Sequence, residues 1–282
     1  MQAVVCIGGA LALLRAGAAQ DDDPIVFRED FETFDRARWD DLGRFPDNLE
    51  VVDGGVGGGK CLQVTATLGE DTGGHLYKLL EPGLDTCHMR FYVKFEAEHG
   101  YVHHFVHLTG YRPPTRWPQG GAGERPQGDE RFSTGIEPWG DWGRHPPPGA
   151  WHFYSYFCEM AAAPDGNWWG NSFAPEEPVP VERDRWICVE IRLECNDPER
   201  ADGSQALWID GRKVGEWDGI RWRTDERLLV NGVWLLYYVT ANAPRQNRVE
   251  QPRRVNRVWF DEVVVSRSYV GPLEREPAED GR

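Results

Sequence analysis

Ring-bearing polar side chains recur along one predicted strand, residues 151–160 (WHFYSYFCEM). Successive side chains of a strand point to opposite faces, so His152, Tyr154 and Tyr156 share a face. Imidazole and phenol groups can accept or donate a proton, which suits general acid–base catalysis. Rings interspersed with hydrogen-bonding groups also suit a sugar chain, whose ring faces are apolar and whose rims carry hydroxyls. This face is therefore expected to line the concave sheet of a carbohydrate-binding protein.

Two other predicted strands, residues 101–109 and 131–139, carry faces of the same character. The side chains assigned to these faces are His103, Phe105, His107, Ser133, Glu137 and Trp139. If the three strands are neighbours in one sheet, their faces merge into a single surface. We expect that surface to form a groove for a sugar chain.

Charged and aromatic side chains outside these strands could also contact the sugar chain. The predicted substrate-binding residues are Arg90, Lys94, His103, Glu137, Trp139, His152, Trp168, Tyr238 and Arg245. Arg245 belongs to an arginine-rich run, residues 243–257, which could oppose an anionic substrate or could simply be a solvated loop. Glu137 could instead form a local ion pair with Arg131 or Arg144.

The composition predicts an all-β protein. The chain has 282 residues with 13 Trp, 32 Gly and 20 Pro, and about a dozen strand-like runs, among them residues 205–217, without sustained helical periodicity. Such a chain is typical of a two-sheet antiparallel β-sandwich. We expect one domain over residues 20–272, followed by a polar tail at 273–282. The net charge of −15 argues against nucleic acid or an anionic membrane as the partner.

The first residues predict export. Residues 1–19 contain a short apolar run and small residues before an acidic block, which resembles a secretory signal peptide and indicates a secreted or periplasmic protein. No segment is long and apolar enough to span a membrane as an ordinary helix. Removing the signal leaves five cysteines, an odd number, so at least one thiol is unpaired. We expect a monomer.

Four stretches of the chain resemble a known family. They read FYVKFEAEHGYVHHFVHLTGY, RFSTGIEPW, YSY and VWFDEVVVSRSYVGP. These stretches are similar to the jelly-roll (concanavalin A-like) polysaccharide lyases of the alginate and glucuronan lyase type, and the similarity runs over most of residues 25–272. The resemblance implies a polysaccharide substrate, cleavage of an acidic polysaccharide by β-elimination and no cofactor for catalysis.

The same resemblance suggests catalytic residues. The family has a lysine where this chain has His107, and a Ser-x-Arg strand where this chain has Ser133 and Gly135, so both departures remove a cation. The family's Tyr-x-Tyr strand is matched by Tyr154 and Tyr156. The implied catalytic residues are Tyr156, His107, Tyr154 and Ser133. Tyr156 is expected to transfer the proton, with His107 sharing it or holding the substrate carboxylate.

Two other functions fit parts of the sequence. A glycoside hydrolase needs two carboxylates flanking the scissile bond, and the candidates are Glu137 and Glu159, of which Glu159 faces the opposite side of its strand from Tyr156. A non-catalytic, lectin-like module needs only the aromatic groove. The lyase is the leading hypothesis because it also uses the tyrosines and histidines.

Acidic residues near both ends of the predicted domain suggest a structural ion. The segments REDFE and WFDEV resemble the terminal strands of many carbohydrate-active jelly rolls, which lie side by side. Carboxylates are ligands that Ca²⁺ prefers. The candidate ligands are Glu29, Asp30, Glu32 and Asp261; alternatively, these residues are only exposed acids at strand ends.

Overall fold

The computed structural model of the protein describes residues 23–70 and 72–274. The predicted signal peptide, residues 1–19, and most of the predicted tail, from 275 onward, lie outside these residues. The strands are β1 (Ile25–Glu29), β2 (Leu49–Asp53), β3 (Lys60–Thr67), β4 (Gly73–Leu84), β5 (Thr86–Phe95), β6 (His107–Tyr111), β7 (Arg131–Trp139), β8 (Ala150–Tyr156), β9 (Asn171–Phe173), β10 (Ile187–Glu194), β11 (Gly203–Ile209), β12 (Arg212–Ile220), β13 (Val230–Tyr238) and β14 (Val255–Ser266).

Helical structure is minor in the described part of the chain. One short α-helix, α1 (Asn242–Gln246), follows β13, and four 3-10 turns lie at Arg36–Arg38, Pro46–Asn48, Val56–Gly58 and Asp141–Gly143. No helix of the described residues has the length and apolarity needed to cross a membrane. The described cysteines, Cys61, Cys87, Cys158, Cys188 and Cys195, are all unpaired.

The strands form two antiparallel sheets, which confirms the predicted sandwich. The outer sheet runs in the order β12-β11-β10-β5-β14-β3-β2, with β1 also paired to β14, and the inner sheet runs β4-β13-β6-β7-β8-β9. The pairing of β1 with β14 joins the two ends of the chain, with Ile25 opposite Ser266 and Glu29 opposite Val263. Strands adjacent in space but distant in sequence are typical of jelly rolls.

The core lies between the sheets because the strands alternate apolar and polar side chains. Phe91 of β5 and Phe153 of β8 are fully buried, as is Phe105, which precedes β6. The ring of Phe260, on β14, packs against Phe91 at 6.1 Å and against Phe105 at 5.3 Å. Aromatic side chains from both sheets thus stabilise the sandwich by removing large apolar areas from water.

The predicted strand over residues 101–109 is wrong in its first half. The backbone is irregular until His107, where β6 begins. The side chain of Phe105, assigned to the same face as His103 and His107, is instead buried in the core. The reason is a backbone bridge between His104 and Tyr238, which holds the irregular segment against β13.

The predicted single strand at residues 205–217 is a hairpin. It breaks at Asp210 and Gly211, whose φ angles are 50° and 80°. Asp-Gly is a favoured two-residue turn because both positions need positive φ, which glycine and aspartate tolerate. The two arms of the hairpin are β11 and β12.

The core contacts lead to a stability prediction. Replacing Phe260 with alanine should lower the free energy of unfolding by about 3–5 kcal/mol, because it leaves a cavity between the sheets. Leu273→Ala, at an exposed side chain, is the control and should cost less than about 1 kcal/mol. Denaturant unfolding measures both changes. Equal losses in the two variants would contradict the packing described.

Candidate active site

Five neighbouring strands of the inner sheet bring the predicted site residues into one row. Trp234 pairs with His107, His107 with Gly135, Gly135 with Tyr154, and Tyr154 with Ser172. Directly paired residues of antiparallel strands project from the same face. The expectation that the strands carrying His107, Ser133 and Tyr154 are neighbours is therefore confirmed, although the first of them begins only at His107.

A cleft opens over this row. The side chains that line it come from β6, β7, β8, β13, the segment before β6 and the loop after β6, and they are His104, His107, Thr109, Tyr111, Gln119, Arg131, Ser133, Tyr154, Tyr156, Trp234 and Leu236. We call this surface the cleft face. It combines rings, hydroxyls and one guanidinium, the mixture that suits a sugar chain.

Glu137 lies beneath this face among three histidines. Its side chain is buried, and its Oε1 accepts a hydrogen bond from Nδ1 of His104 at 2.7 Å. The Nε2 atoms of His107 and His152 lie 3.9 Å from its two carboxylate oxygens. A buried carboxylate is costly unless it is hydrogen bonded and paired with a charge. The alternative partners considered from the sequence, Arg131 and Arg144, are wrong.

His104 is held by the backbone bridge and by stacked rings. Its N–H donates to the Tyr238 carbonyl at 3.1 Å, and its own carbonyl accepts from the Tyr238 N–H at 3.0 Å. The imidazole of His103 stacks on it at 4.3 Å, and the ring of Tyr238 lies nearly parallel to it at 5.8 Å. His103 is fixed in turn by a 2.7 Å hydrogen bond between its Nδ1 and Oγ1 of Thr240. His103 and Tyr238 therefore support His104.

The charge states of this cluster follow from burial and from Glu137. Burial lowers the pKa of His104, but the charge of Glu137 and its hydrogen bond outweigh that effect, so the pKa is raised. Burial raises the pKa of Glu137, but the histidines, His104 first, bring it below the ordinary value. Burial lowers the pKa of His103, His107 and His152 to about 4 in each case. Of these four histidines, His104 is therefore the one whose protonated form is favoured.

His107 lines the cleft with an uncharged imidazole, because burial lowers its pKa to about 4. Its Nδ1–H donates to the Phe105 carbonyl at 2.6 Å, which leaves Nε2 as the acceptor nitrogen. Within the described residues, no hydrogen-bond donor contacts that Nε2. The ring lies directly over Gly135, where an added Cβ would come within 2.5 Å of Nε2. The absence of a side chain at residue 135 is thus what allows the ring to lie there.

The two tyrosines of β8 line the same cleft as His107. Their hydroxyl oxygens are 3.5 Å apart, and their rings meet edge to face. Burial, followed by the hydrogen bond to Tyr156, raises the pKa of Tyr154 well above its ordinary value, so its phenol stays protonated. Ser133 is the cross-strand partner of Tyr156 and lines the cleft. All four residues predicted to be catalytic therefore lie on the cleft face.

Arg131 lines the cleft but is not among the substrate-binding residues predicted from the sequence. It begins β7 and lies two residues before Ser133, so strand alternation places it on the same face. Its guanidinium donates to the Glu124 carbonyl at 2.9 Å, which orients it in the cleft wall. Strand alternation in the sequence could therefore have identified Arg131 as a cleft residue. It could not have identified His104, because adjacent residues of a regular strand point to opposite faces.

Arg90 and Lys94 do not lie on the cleft face, and their predicted placement is wrong. Both belong to β5 of the outer sheet. Phe91 of the same strand is buried in the core, so alternation directs Arg90 and Lys94 away from the inner sheet. The guanidinium of Arg90 lies 3.6 Å from Glu262. The Lys94 ammonium lies between two outer-sheet tryptophan rings, at 5.0 and 4.9 Å from their centres.

The remaining predicted substrate-binding residues lie around the inner sheet. Trp139 stacks on His152 at 5.0 Å beyond Glu137, next to the cleft lining. Trp168, in the loop before β9, is half-buried, with the guanidinium of Arg125 over its ring at 4.7 Å. Arg245 lies in α1, where it donates a hydrogen bond to Asn242. The structure gives neither Trp168 nor Arg245 a contact with the cleft lining.

Two of the predicted calcium ligands do not fit such a site. Glu29 is buried and pairs with the guanidinium of Arg38 at 3.1 Å, so its charge is already balanced. Asp30 accepts the backbone N–H of Glu32 in a local turn. Over residues 23–70 and 72–274, no three Asp, Glu, His or Cys side chains are grouped so that they could hold a metal ion.

Glu32 and Asp261 approach the same glycine-rich turn. Glu32 accepts the N–H of Lys60 at 2.7 Å, and Asp261 accepts the N–H groups of Val56 and Glu262, each at 2.7 Å. Burial, together with the neighbouring charges of Glu262 and Glu32, raises the pKa of Asp261 to about 7. A cation there would relieve this repulsion. A structural Ca²⁺ stays a prediction, confined to these two ligands.

Solved structures of polysaccharide lyases share this fold. An alginate lyase from Aplysia kurodai matches with a TM-score of 0.63 at 11% identity, over 88% of this chain and 99% of its own. An alginate lyase from a Chlorella virus gives 0.58 at 12%, over 82% and 93%. The endo-β-1,4-glucuronan lyase of the fungus Trichoderma reesei gives 0.54 at 16%, over 86% and 95%. No protein-family model and no curated protein sequence matches the chain. The chain therefore has the polysaccharide-lyase jelly-roll fold.

The close approach of His107 to Gly135 yields a prediction. Gly135→Ala should push the imidazole off its site and raise the pKa of His107 from about 4 towards the ordinary value, because the ring becomes hydrated. Gly120→Ala is the matched control, since an added Cβ there meets open space. Histidine titration by NMR measures both variants. An unchanged His107 titration in Gly135→Ala would contradict the geometry.

Proposed function

We propose that this protein is a secreted polysaccharide lyase that cleaves an acidic polysaccharide by β-elimination in the cleft. The observation that carries the proposal is that the uncharged imidazole of His107 lines one cleft together with the phenol groups of Tyr154 and Tyr156. A proton acceptor and a proton donor at one surface are what β-elimination requires. The fold shared with alginate and glucuronan lyases supports the same reaction.

The proposed reaction moves one proton to the protein and one from it. His107 Nε2 takes the proton on the carbon α to the uronate carboxylate, and the electron pair of that C–H bond forms the new C=C double bond. The bond from the β carbon to the glycosidic oxygen breaks, and the Tyr156 hydroxyl gives its proton to that oxygen. Arg131 lies in the same cleft wall, where its charge can stabilise the negative charge that builds on the carboxylate.

Tyr154 orients Tyr156 in this scheme. Because its own pKa is raised, Tyr154 remains a phenol that can donate to the Tyr156 oxygen as that group loses its proton. A proton can then pass from His107 to Tyr156 before the next cycle. Ser133, opposite Tyr156, offers a hydroxyl to the sugar or to the tyrosine.

A hydrolase is less well supported. The two carboxylates considered for it are Glu137 and Glu159. Glu137 is buried and hydrogen bonded to His104, and Glu159 pairs with Arg221 at 3.2 Å. Neither carboxylate lines the cleft, whereas a glycoside hydrolase needs both beside the scissile bond. Secretion and a monomeric state are part of the proposal and rest on the sequence.

Incubation with a panel of acidic and neutral polysaccharides tests the function. A lyase produces both new ultraviolet absorbance from the unsaturated product and new reducing ends, and we expect both with an acidic polysaccharide. Reducing ends without absorbance would identify a hydrolase. Retarded migration in a polysaccharide gel without any cleavage would identify a lectin-like module.

The assignment of Tyr156 predicts the effect of removing one oxygen. Tyr156→Phe should lower kcat on the acidic substrate by about a hundredfold or more, with substrate binding little changed, because the ring stays in place while the proton donor is lost. Tyr269→Phe, at an exposed tyrosine outside the cleft lining, is the matched control and should keep full activity. A Tyr156→Phe variant as fast as the parent would refute this role.

The assignment of His107 predicts the acidic side of the pH profile. His107 must be uncharged to accept a proton, and its pKa is lowered to about 4. Activity should therefore be lost as the pH falls through that value, and kcat/KM should show no acidic loss between roughly pH 7 and pH 5. Absorbance assays from pH 4 to 9, with recovery checked at pH 7, measure the profile. An acidic limb near the ordinary histidine value of about 6.5 would contradict it.

A further inference from the structure

We propose, on the basis of the lyase function above, that Glu137 is a positioning residue that holds His104 as an imidazolium at the cleft. This imidazolium, together with Arg131, receives the carboxylate of a uronate unit. Glu137 itself does not contact the sugar. The substrate class that follows is a polysaccharide of uronic acids, bound through the carboxylate of the unit that reacts.

The Glu137 carboxylate lies deeper in the protein than the His104 imidazole. The Glu137 side chain is 6% exposed and the His104 side chain 31% exposed, so the carboxylate lies behind the imidazole. Nδ1–H of His104 points inward to Glu137 at 2.7 Å, which leaves Nε2–H directed away from the carboxylate. His104 also lines the cleft, whereas Glu137 does not. An anion that enters the cleft therefore meets the positive end of the pair first.

The geometry decides which histidine holds the proton. His107 and His152 are both 3.9 Å from Glu137, too far for a hydrogen bond, and His107 already donates its Nδ1–H to a carbonyl. Only His104 donates to the carboxylate. Of the described residues, those whose titratable groups or rings act on His104 are Glu137, His103, His107, His152, Tyr154 and Tyr238, and Arg131 lines the same cleft. Glu137 is the only anion among them.

The neighbours of His104 also favour a fixed cation. The ring of His103 stacks on it at 4.3 Å, and Tyr238 and Tyr154 lie at 5.8 and 5.7 Å. Aromatic faces stabilise a cation that lies against them. These rings also limit rotation of the imidazole, so Nε2–H keeps one direction. Such a donor loses little conformational entropy when an anion binds.

Glu137→Gln tests the pair because it removes the charge and can keep the shape. The glutamine oxygen can still accept from His104 Nδ1–H, but the imidazole then loses its proton at neutral pH. We expect the affinity for alginate and glucuronan tetrasaccharides to fall roughly tenfold or more at pH 7.5, the effect of losing a charge-assisted hydrogen bond. The gap between parent and variant should narrow as the pH falls and the His104 of the variant regains its proton. NMR titration of the full chain should show a lower pKa of His104 in the variant.

Two further variants complete the design. His104→Gln should weaken binding to the same degree as Glu137→Gln, and the double variant should be no weaker than either, because the two residues act as one unit. His88→Gln is the matched control, since His88 makes a similar 2.8 Å contact with Glu190 on the outer sheet. Its affinity for the tetrasaccharides should equal that of the parent. If Glu137→Gln does not fold, the affinities of His104→Gln and His88→Gln for the tetrasaccharides are compared instead, and this comparison tests the inference.

The cleavage and binding results together distinguish a failure of the carboxylate site from a failure of the proposed lyase activity. If the parent cleaves nothing in the panel but the tetrasaccharide affinities change as expected, the lyase proposal fails and the carboxylate site stands. If the parent cleaves an acidic polysaccharide while Glu137→Gln and His104→Gln bind the tetrasaccharides normally, the inference is overturned and the lyase stands. The same pKa of His104 in the parent and in Glu137→Gln, or no binding by the parent, also overturns the inference.

Discussion

The electrostatics of the cleft depend on the buried carboxylate of Glu137 and its 2.7 Å hydrogen bond from His104. Burying an unpaired carboxylate costs free energy, and one imidazolium among its neighbours is enough to balance its charge. Once His104 holds that proton, its positive charge and burial disfavour a second proton on His103 or His107. The cleft face consequently offers the uncharged imidazole of His107, two phenol groups and, in the proposed scheme, one histidine cation. Base chemistry and carboxylate recognition can thus be assigned to different histidines.

The two departures from the resembling lyases are physically one change. The resemblance implies that His107 stands at the family's lysine position and Gly135 at its arginine position, and these two residues are cross-strand partners. A side chain at residue 135 would collide with the imidazole at its first carbon atom. Accommodating the histidine therefore requires a glycine on the next strand. The chain loses two cations in this exchange, while His104 and Arg131 place two others at the same cleft.

The scaffold fixes these groups through backbone contacts. The row from Trp234 to Ser172 is held by consecutive antiparallel pairs, so its side chains are positioned by strands rather than by flexible loops. The irregular segment before β6 is the exception, and contacts of two adjacent residues hold it in place. Phe105 anchors it in the core, and the bridge of His104 to Tyr238 anchors it to β13. That irregularity lets adjacent residues serve the core and the cleft.

Local alternation in the sequence determined much of the fold and part of the site. The period of two in strands such as 131–139 and 151–160 predicted a sandwich and grouped Ser133, Glu137, Tyr154 and Tyr156 on inner-sheet faces, because side-chain direction in a strand is a local property. Only the tertiary structure decided which sheet each strand joins. Arg90 and Lys94 alternate as expected but belong to the outer sheet, since strand order depends on long-range pairing and core burial. His104 was missed because its orientation depends on a bridge to Tyr238, 134 residues later in the chain by their numbering, which no local pattern encodes.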